Sequence, residues 1–174
     1  MSYCQFAYQH PLHQEHHDRE HGFPVADEKV LFERLVLEIN QPGLSWLTVL
    51  KKREHFRDAF AGYDLEQLAS YGTGEIEQLL KNPGIIRHRQ KIEAVVYNAQ
   101  QILDFVDGFS GWLQQLHPCP LDAWVKCFRK VFRFTGPSVV HEFLMSVGYL
   151  PGAHQKECPV YEKVLRANPA WAEI

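Results

Sequence analysis

The sequence lacks several features that would assign it to whole classes of protein. Its 174 residues contain no apolar run approaching the ~20 residues that a membrane-spanning helix needs. It has no glycine-rich fingerprint of a nucleotide or dinucleotide site, no repeats and no low-complexity linker. Its first residues are polar and histidine-rich, unlike those of a signal or transit peptide. These absences predict a cytoplasmic protein that neither enters a membrane nor uses a nucleotide cofactor.

A strongly basic charge and a strand-like alternation of polar and apolar residues are also missing. The formal net charge is −3, so a general affinity for nucleic acid is not indicated. A balanced total can nevertheless hide a local basic face. The four cysteines are expected to stay reduced in the cytoplasm, either as metal ligands or as small buried side chains.

Helical patterning is present along nearly the whole chain. Asp27 and Ser45 are placed to cap two long amphipathic helices, and Ser110 to open a short one. The chain is long enough to bury one substantial core. We therefore predict an all-α fold made of a single domain, residues 1–174, with irregular ends.

Histidine and cysteine are concentrated at the two ends of the chain. The segment HQKEC, residues 154–158, has a spacing typical of half a zinc site. The start of the chain offers Cys4 and five of the ten histidines, too many candidates for spacing alone to choose between. A zinc site that drew one pair from each end would join the ends. The alternative is that the histidine-rich start is a solvated tail.

Residues 17–21, HDREH, also match the H-x-x-E-H signature of inverzincins. In those enzymes two histidines on one helical face hold a catalytic zinc, and a glutamate activates water. Gly22 and Pro24 follow at once, so the supporting helix would be short. A zinc hydrolase is therefore kept only as an alternative function.

Glu38 and Trp46 have positions that patterning alone leaves ambiguous. Glu38 lies seven positions after Leu31, so at ~100° per residue the two side chains project within about 20° of each other. An acid beside an apolar stripe lies either at its solvated edge, which the sequence alone favours, or buried for a function. Trp46 begins the next helix, where a tryptophan is usually a core residue.

Two long segments resemble the 3-methyladenine DNA glycosylase I family. The first runs from Cys4 through QPGLSWLTVLKKRE to GIIRHRQKI, and the second is FRFTGPSVVHEFLMSVGYLPGAHQKEC. The family is all-α and of the helix-hairpin-helix DNA-repair class. Its members flip an alkylated purine such as 3-methyladenine out of DNA and hydrolyse its N-glycosidic bond. We expect the same activity here, from a monomer acting on alkylated double-stranded DNA. A module of the same fold that binds damage without cutting remains the alternative.

The resemblance also implies roles for individual residues. A structural zinc, one per chain, would be held by Cys4, His17, His154 and Cys158. Glu38 is the implied catalytic residue. The other residues implied to contact the flipped base are Trp46, His16, His13 and Phe6. The residues implied to contact DNA are Gly43, Leu44, Gly84, Arg87 and Lys91.

The chain departs from the family where aromatic residues are usual near its start. His16 replaces a tyrosine and His21 a tryptophan, and His13 also stands at an aromatic position. We therefore expect an altered or weakened preference among alkylated bases. Because a protonated imidazole would repel a cationic base, His16 is predicted to lower activity as the pH drops through ~6.5.

Overall fold

Helices make up nearly all the regular structure of the protein. The computed structural model describes residues 2–173, and no β-strand is found within them, which confirms the all-α prediction. The α-helices are α1 (Tyr3–Phe6), α2 (Pro11–Arg19), α3 (Glu28–Asn40), α4 (Trp46–Ala59), α5 (Leu65–Ala69), α6 (Thr73–Lys81), α7 (Arg89–Leu103), α8 (Gly108–Leu116), α9 (Leu121–Val131), α10 (Pro137–Ser146) and α11 (Tyr161–Arg166). Short 3-10 turns span Ala7–Gln9, Ala61–Tyr63 and Ala170–Ala172. Over the described residues, none of these helices is long and apolar enough to cross a membrane.

Helix α3 lies at the centre of the fold. Residues 31–40 are all buried, because α4, α7, α8 and α10 each pack against this helix. Asp27 caps it as predicted, its carboxylate accepting a hydrogen bond from the Val30 amide at 3.0 Å. A helix covered on so many sides has no solvated edge in its last turns, and this is where Glu38 lies.

A tight turn with an exposed tip links α3 to α4. The Leu44 amide donates to the Gln41 carbonyl at 2.8 Å, which closes the turn around Pro42 and Gly43. Gly43 has a φ of +86°, a value that a type II turn requires after proline and that glycine adopts without steric cost. Ser45 then caps α4 as predicted, accepting a backbone amide of its first turn at 3.1 Å.

The start of α8 differs from the prediction. The helix begins at Gly108 rather than Ser110. Its cap comes from Glu28, whose carboxylate accepts the amides of Phe109 and Ser110 at 2.7 and 2.8 Å. Because this cap lies 82 positions earlier in the chain than Ser110, no local residue pattern marks it.

The two ends of the chain pack together beside the central helices. A second, small apolar cluster of Cys158, Val160 and Val164 contacts residues from the start of the chain. Gly22 permits the close approach, since a Cβ at this position would lie 2.6 Å from the Cβ of Ala153. The predicted joining of the two ends is therefore present in the packing itself.

Candidate active site and metal cluster

A cavity of about 470 Å³ opens among α1, α2, α3, α4 and α10. This volume lies within the range of small-molecule sites, roughly 300–1,000 Å³. The five residues predicted to contact the base all line it: Phe6, His13, His16, Glu38 and Trp46. Its lining also contains polar residues outside that prediction, among them Tyr3, His21, Gln41, Ser138 and Glu142.

Glu38 presents an unpaired carboxyl group to the cavity. The residue is 8% exposed, and no hydrogen bond or ion pair to its carboxylate occurs within residues 2–173. Its pKa is raised to about 8, chiefly by burial and next by the Glu142 carboxylate, while Arg34 acts in the opposite direction. A buried acid without a partner costs the fold free energy, which favours a functional role. The solvated-edge interpretation of Glu38 is wrong.

His16 and Trp46 form one side of the cavity. Their ring centroids are 5.2 Å apart and their planes meet edge to face at 61°. Burial lowers the pKa of His16 to about 4, although Glu20 acts in the opposite direction. The imidazole therefore stays neutral between about pH 5 and 8. The structure therefore does not support the pH response predicted for His16 near pH 6.5.

Tyr3 and His21 fill the part of the cavity next to His16. The Tyr3 ring centroid lies 5.3 Å from that of His21 and 6.2 Å from that of His16, and its hydroxyl is 3.3 Å from Nδ1 of His13. His21 is buried, and its Nδ1 has no hydrogen-bond partner among residues 2–173. Sequence reasoning missed Tyr3, because only the folding of α1 against α2 brings it to the cavity.

Four metal-ligating side chains from the two chain ends come together next to Tyr3 and His21. Cys4, His17, His154 and Cys158 bring ligand atoms within 4.8 Å of one another. Nδ1 of His154 is 3.1 Å from Nε2 of His17, 3.7 Å from Sγ of Cys158 and 3.8 Å from Sγ of Cys4. Tetrahedral zinc would set about 3.3 Å between nitrogens and about 3.6 Å between sulfur and nitrogen. These three distances match such an ion to within a few tenths of an ångström.

Hydrogen bonds orient both imidazoles toward the centre of this cluster. Nδ1 of His17 lies 2.7 Å from a carboxylate oxygen of Asp18, and Nε2 of His154 lies 2.7 Å from the carbonyl oxygen of His21. Each of these nitrogens must donate, which leaves Nε2 of His17 and Nδ1 of His154 as lone-pair ligands. The group can hold a metal ion with no position left for a reactant.

Comparison with known proteins places this arrangement in one family. Residues 6–119 match the methyladenine glycosylase family. The chain is 37% identical over 183 residues to DNA-3-methyladenine glycosylase 1 of Escherichia coli, covering 92% of this chain and 97% of that protein. The chain belongs to the methyladenine glycosylase family.

Two further relatives of this methyladenine glycosylase agree with that assignment. It is 34% identical over 178 residues to DNA-3-methyladenine glycosylase of Haemophilus influenzae, covering 90% of this chain and 96% of the relative. Its fold matches the crystal structure of a variant of 3-methyladenine DNA glycosylase I in complex with 3-methyladenine. The TM-score is 0.83 at 33% identity, and 92% of this chain and 97% of that chain are covered.

The inverzincin interpretation of HDREH is wrong for this family member. The carboxylate of Glu20 lies 2.7 Å from Arg34 and 2.8 Å from Arg53, so it is not free to activate water. Within residues 2–173, the one metal-ligating group that is found contains His17 but not His21. The two histidines of the motif therefore do not share an ion.

Lys91 of this glycosylase is a support for the turn between α3 and α4. Its Nζ donates to the carbonyl oxygens of Asn40 and Pro42, each at 3.0 Å, and the residue is only 5% exposed. A cation at this position offsets the unpaired carbonyls at the C-terminal end of α3. In this conformation Nζ of Lys91 is turned toward these carbonyls and away from solvent, which gives it a supporting role, and its contact with DNA stays a prediction.

The other predicted DNA contacts lie nearer the surface. Gly43 and Arg87 are exposed, and Leu44 and Gly84 are half-buried. Gly84 lies in a turn, and its carbonyl oxygen accepts a hydrogen bond from Nζ of Lys52 at 3.2 Å. Because Lys91 joins the start of α7 to the turn between α3 and α4, that turn and the hairpin, which is the connection between α6 and α7 (residues 82–88), are held together as one surface.

Proposed function

We propose that this protein is a DNA glycosylase that releases 3-methyladenine from alkylated double-stranded DNA. The observation that carries the proposal is Glu38, a buried carboxyl group without a partner in the part of the chain that the structure describes, in a cavity of suitable size beside Trp46. The curated relatives bear the name of this activity, and the solved relative holds 3-methyladenine. Both support the same substrate for this chain.

The chemistry of the substrate suits this cavity. A purine methylated at a ring nitrogen is cationic while attached to its sugar and leaves as a neutral base. When the bond breaks, its electron pair goes to the base, and water adds to the sugar carbon and loses a proton. Ionised Glu38 would favour the cationic flipped base, and Trp46 would offer a flat surface for stacking. Since the leaving group is already good, the site has to bind and orient the base rather than supply a strong acid.

Release of the base is the direct test of this function. The purified protein should liberate 3-methyladenine from methylated duplex DNA, identified by chromatography, while unmethylated DNA yields no base. Binding of methylated DNA without release of any base would contradict the proposal. It would favour the second candidate, a module that binds damaged DNA without cutting it. The observation behind this candidate is that the imidazoles of His13, His16 and His21 line the cavity where the family usually has aromatic residues.

We further propose that the metal held by Cys4, His17, His154 and Cys158 is zinc, one ion per chain. Two thiolates and two neutral imidazoles are a typical donor set for structural zinc. When bound, the ion supplies a cross-link between the two chain ends and no chemistry to the reaction. The single domain of residues 1–174, the monomeric state and the cytoplasmic location stay predictions of the sequence.

We propose that the surface formed by the turn and the hairpin contacts DNA. Gly43 and Leu44 would occupy the gap that the flipped nucleotide leaves, since an apolar side chain can replace the lost stacking. Gly84 and Arg87 would contact phosphates, which fix the protein on the duplex without reading its sequence.

Variants at Arg87 and Lys91 should separate DNA contact from support of the fold. Replacing exposed Arg87 with glutamine should weaken binding to any duplex and reduce the slope of log affinity against log salt by about one. Replacing buried Lys91 with methionine should leave that slope unchanged. It should instead lower the free energy of unfolding by about 1–3 kcal/mol, because two carbonyls lose their charged donor.

Salt titrations by fluorescence anisotropy, together with urea unfolding of both variants, make this comparison. A reduced salt slope for the Lys91 variant at unchanged stability would show that the lysine reaches phosphate in the complex. An unchanged slope for the Arg87 variant would remove the hairpin from the proposed DNA surface.

A further inference from the structure

Glu142 gives the cavity a second carboxylate, contributed by a different helix from Glu38. Helix α10 presents Ser138, Glu142 and Met145 to the cavity. Their spacing of four and then three positions places all three on one helical face. Because α10 packs directly against α3, this face lies beside the helix that carries Glu38.

No cation of the protein balances these two acids inside the cavity. Among the described residues that line it, there is neither lysine nor arginine. Arg34, the cation that acts on Glu38, lies 2.7 Å from a carboxylate oxygen of Glu20. His141 lies beside Glu142 on the same helix, and its Nδ1 is 3.7 Å from the Glu142 carboxylate. When both acids are ionised, the cavity lining therefore carries two negative charges and, among the described residues, no lysine or arginine to balance them.

We propose that Glu142 is a specificity-determining residue that, together with Glu38, restricts the cavity to bases carrying a positive charge. The proposal rests on the function proposed above, because a flipped base must enter this cavity. Glu142 has a side chain that is 44% exposed, so solvent weakens its field without removing it. A unit charge held in the cavity should gain about three- to tenfold in occupancy from such a neighbour. A neutral base of the same shape should gain nothing.

The test compares a cationic and a neutral base of one shape. Methylated duplex DNA supplies 3-methyladenine, which is cationic in the strand. A synthetic duplex with 3-methyl-3-deazaadenine supplies an uncharged isostere, whose neutral base is a poor leaving group. Glu142→Gln keeps the volume of the side chain and removes its charge, and Glu142→Lys reverses the charge. Glu162→Gln removes the same charge from an exposed position in α11 and controls for the overall attraction of DNA.

The measurements are made at about pH 9, so that Glu38, with a pKa of about 8, is ionised in every variant. Otherwise the loss of Glu142 would also ease the ionisation of Glu38 and mask the effect. Tyr3 and Arg34 also face Glu38 and are unchanged in all variants. The readouts are the second-order rate constant of 3-methyladenine release and the Kd for the isostere duplex.

Glu142→Gln should slow 3-methyladenine release about three- to tenfold, and Glu142→Lys should slow it further, while the Kd for the neutral duplex matches that of Glu162→Gln. Equal losses on both DNAs would assign Glu142 a structural role and overturn the proposal. Unchanged release by both Glu142 variants, with an active wild type, would overturn it as well. An inactive wild-type protein would overturn the proposed function and this inference together.

Discussion

Replacing Glu38 with glutamine should slow the release of 3-methyladenine by about ten- to a hundredfold. The amide keeps the size of the side chain and one acceptor oxygen, but it loses the charge that favours a cationic base. A hydrogen bond to a charged partner contributes about 1.5–3 kcal/mol, which converts to that factor in rate. Single-turnover release from methylated duplex DNA, with metal content measured on the same preparations, checks the prediction.

The same variant should change the pH profile. Burial and Glu142 raise the pKa of Glu38 to about 8, so in the free protein the acid is mostly protonated at neutral pH. For the wild type, kcat/KM should therefore rise with pH up to about 8 and then level off, because the ionised form is the one that holds the cation. Glu38→Gln should remove this rise. An equally steep profile in the variant would assign the titration to another group.

Stability should respond to this substitution in the opposite direction from activity. A carboxyl group whose pKa is raised by folding costs stability as the pH rises from its unfolded value, ~4.3, to its folded value, by about 1.4 kcal/mol per unit. Glu38→Gln should therefore melt higher than the wild type above about pH 8 and show little gain near pH 4.

Glu33 is the matched control, since it is equally buried but is paired with Arg53 and Arg57. Glu33→Gln should lower the melting temperature at neutral and basic pH, because it removes a buried carboxylate that pairs with two guanidinium groups. Lower melting temperatures for both glutamine variants at basic pH would show that Glu38 is a structural acid.

Loss of the proposed zinc should lower the stability of this chain strongly. Cys158→Ser removes one of four ligands, and the ligands join parts of the chain that are 137 to 154 positions apart. Because binding to a preformed site adds directly to the folding free energy, the loss should be several kcal/mol. For a chain of this size, that lowers the Tm by about 10 °C or more.

Cys127→Ser is the matched control for this experiment. Cys127 is a partly buried free cysteine outside the metal-ligating group, so its replacement should leave zinc content and melting nearly unchanged. A strong chelator should reproduce the Cys158→Ser melting curve in the wild type. Purified wild-type protein without zinc, melting identically in chelator, would contradict the metal proposal.

Several features of this protein follow from residues close together in the chain. Asp27 and Ser45 could be identified as caps because each accepts an amide only three positions further on. The all-α fold follows from helical patterning, and family membership from two long segments of sequence. The four metal-ligating residues could be identified from their residue types and their positions in the family. Spacing alone could not show which of the histidines near the start of the chain is the ligand.

Burial, in contrast, was decided by the packing of distant helices. Glu38 was ambiguous because patterning describes one helix, whereas its exposure depends on α10 and on the start of the chain, which together close the cavity over it. Lys91 lies in a basic segment typical of phosphate contact, yet its ammonium is paired with carbonyls 49 and 51 positions away.

The sequence by itself therefore determined the helices, the family and the residue types available for chemistry. Tertiary structure alone decided which of those residues are buried together, placing Tyr3 and Glu142 beside Glu38 and removing Lys91 from the surface. The physical reason is that capping and helical periodicity act over a few residues. The charge and hydrogen-bonding state of a polar group depend instead on whichever groups the fold brings within a few ångströms, whatever their separation in the chain.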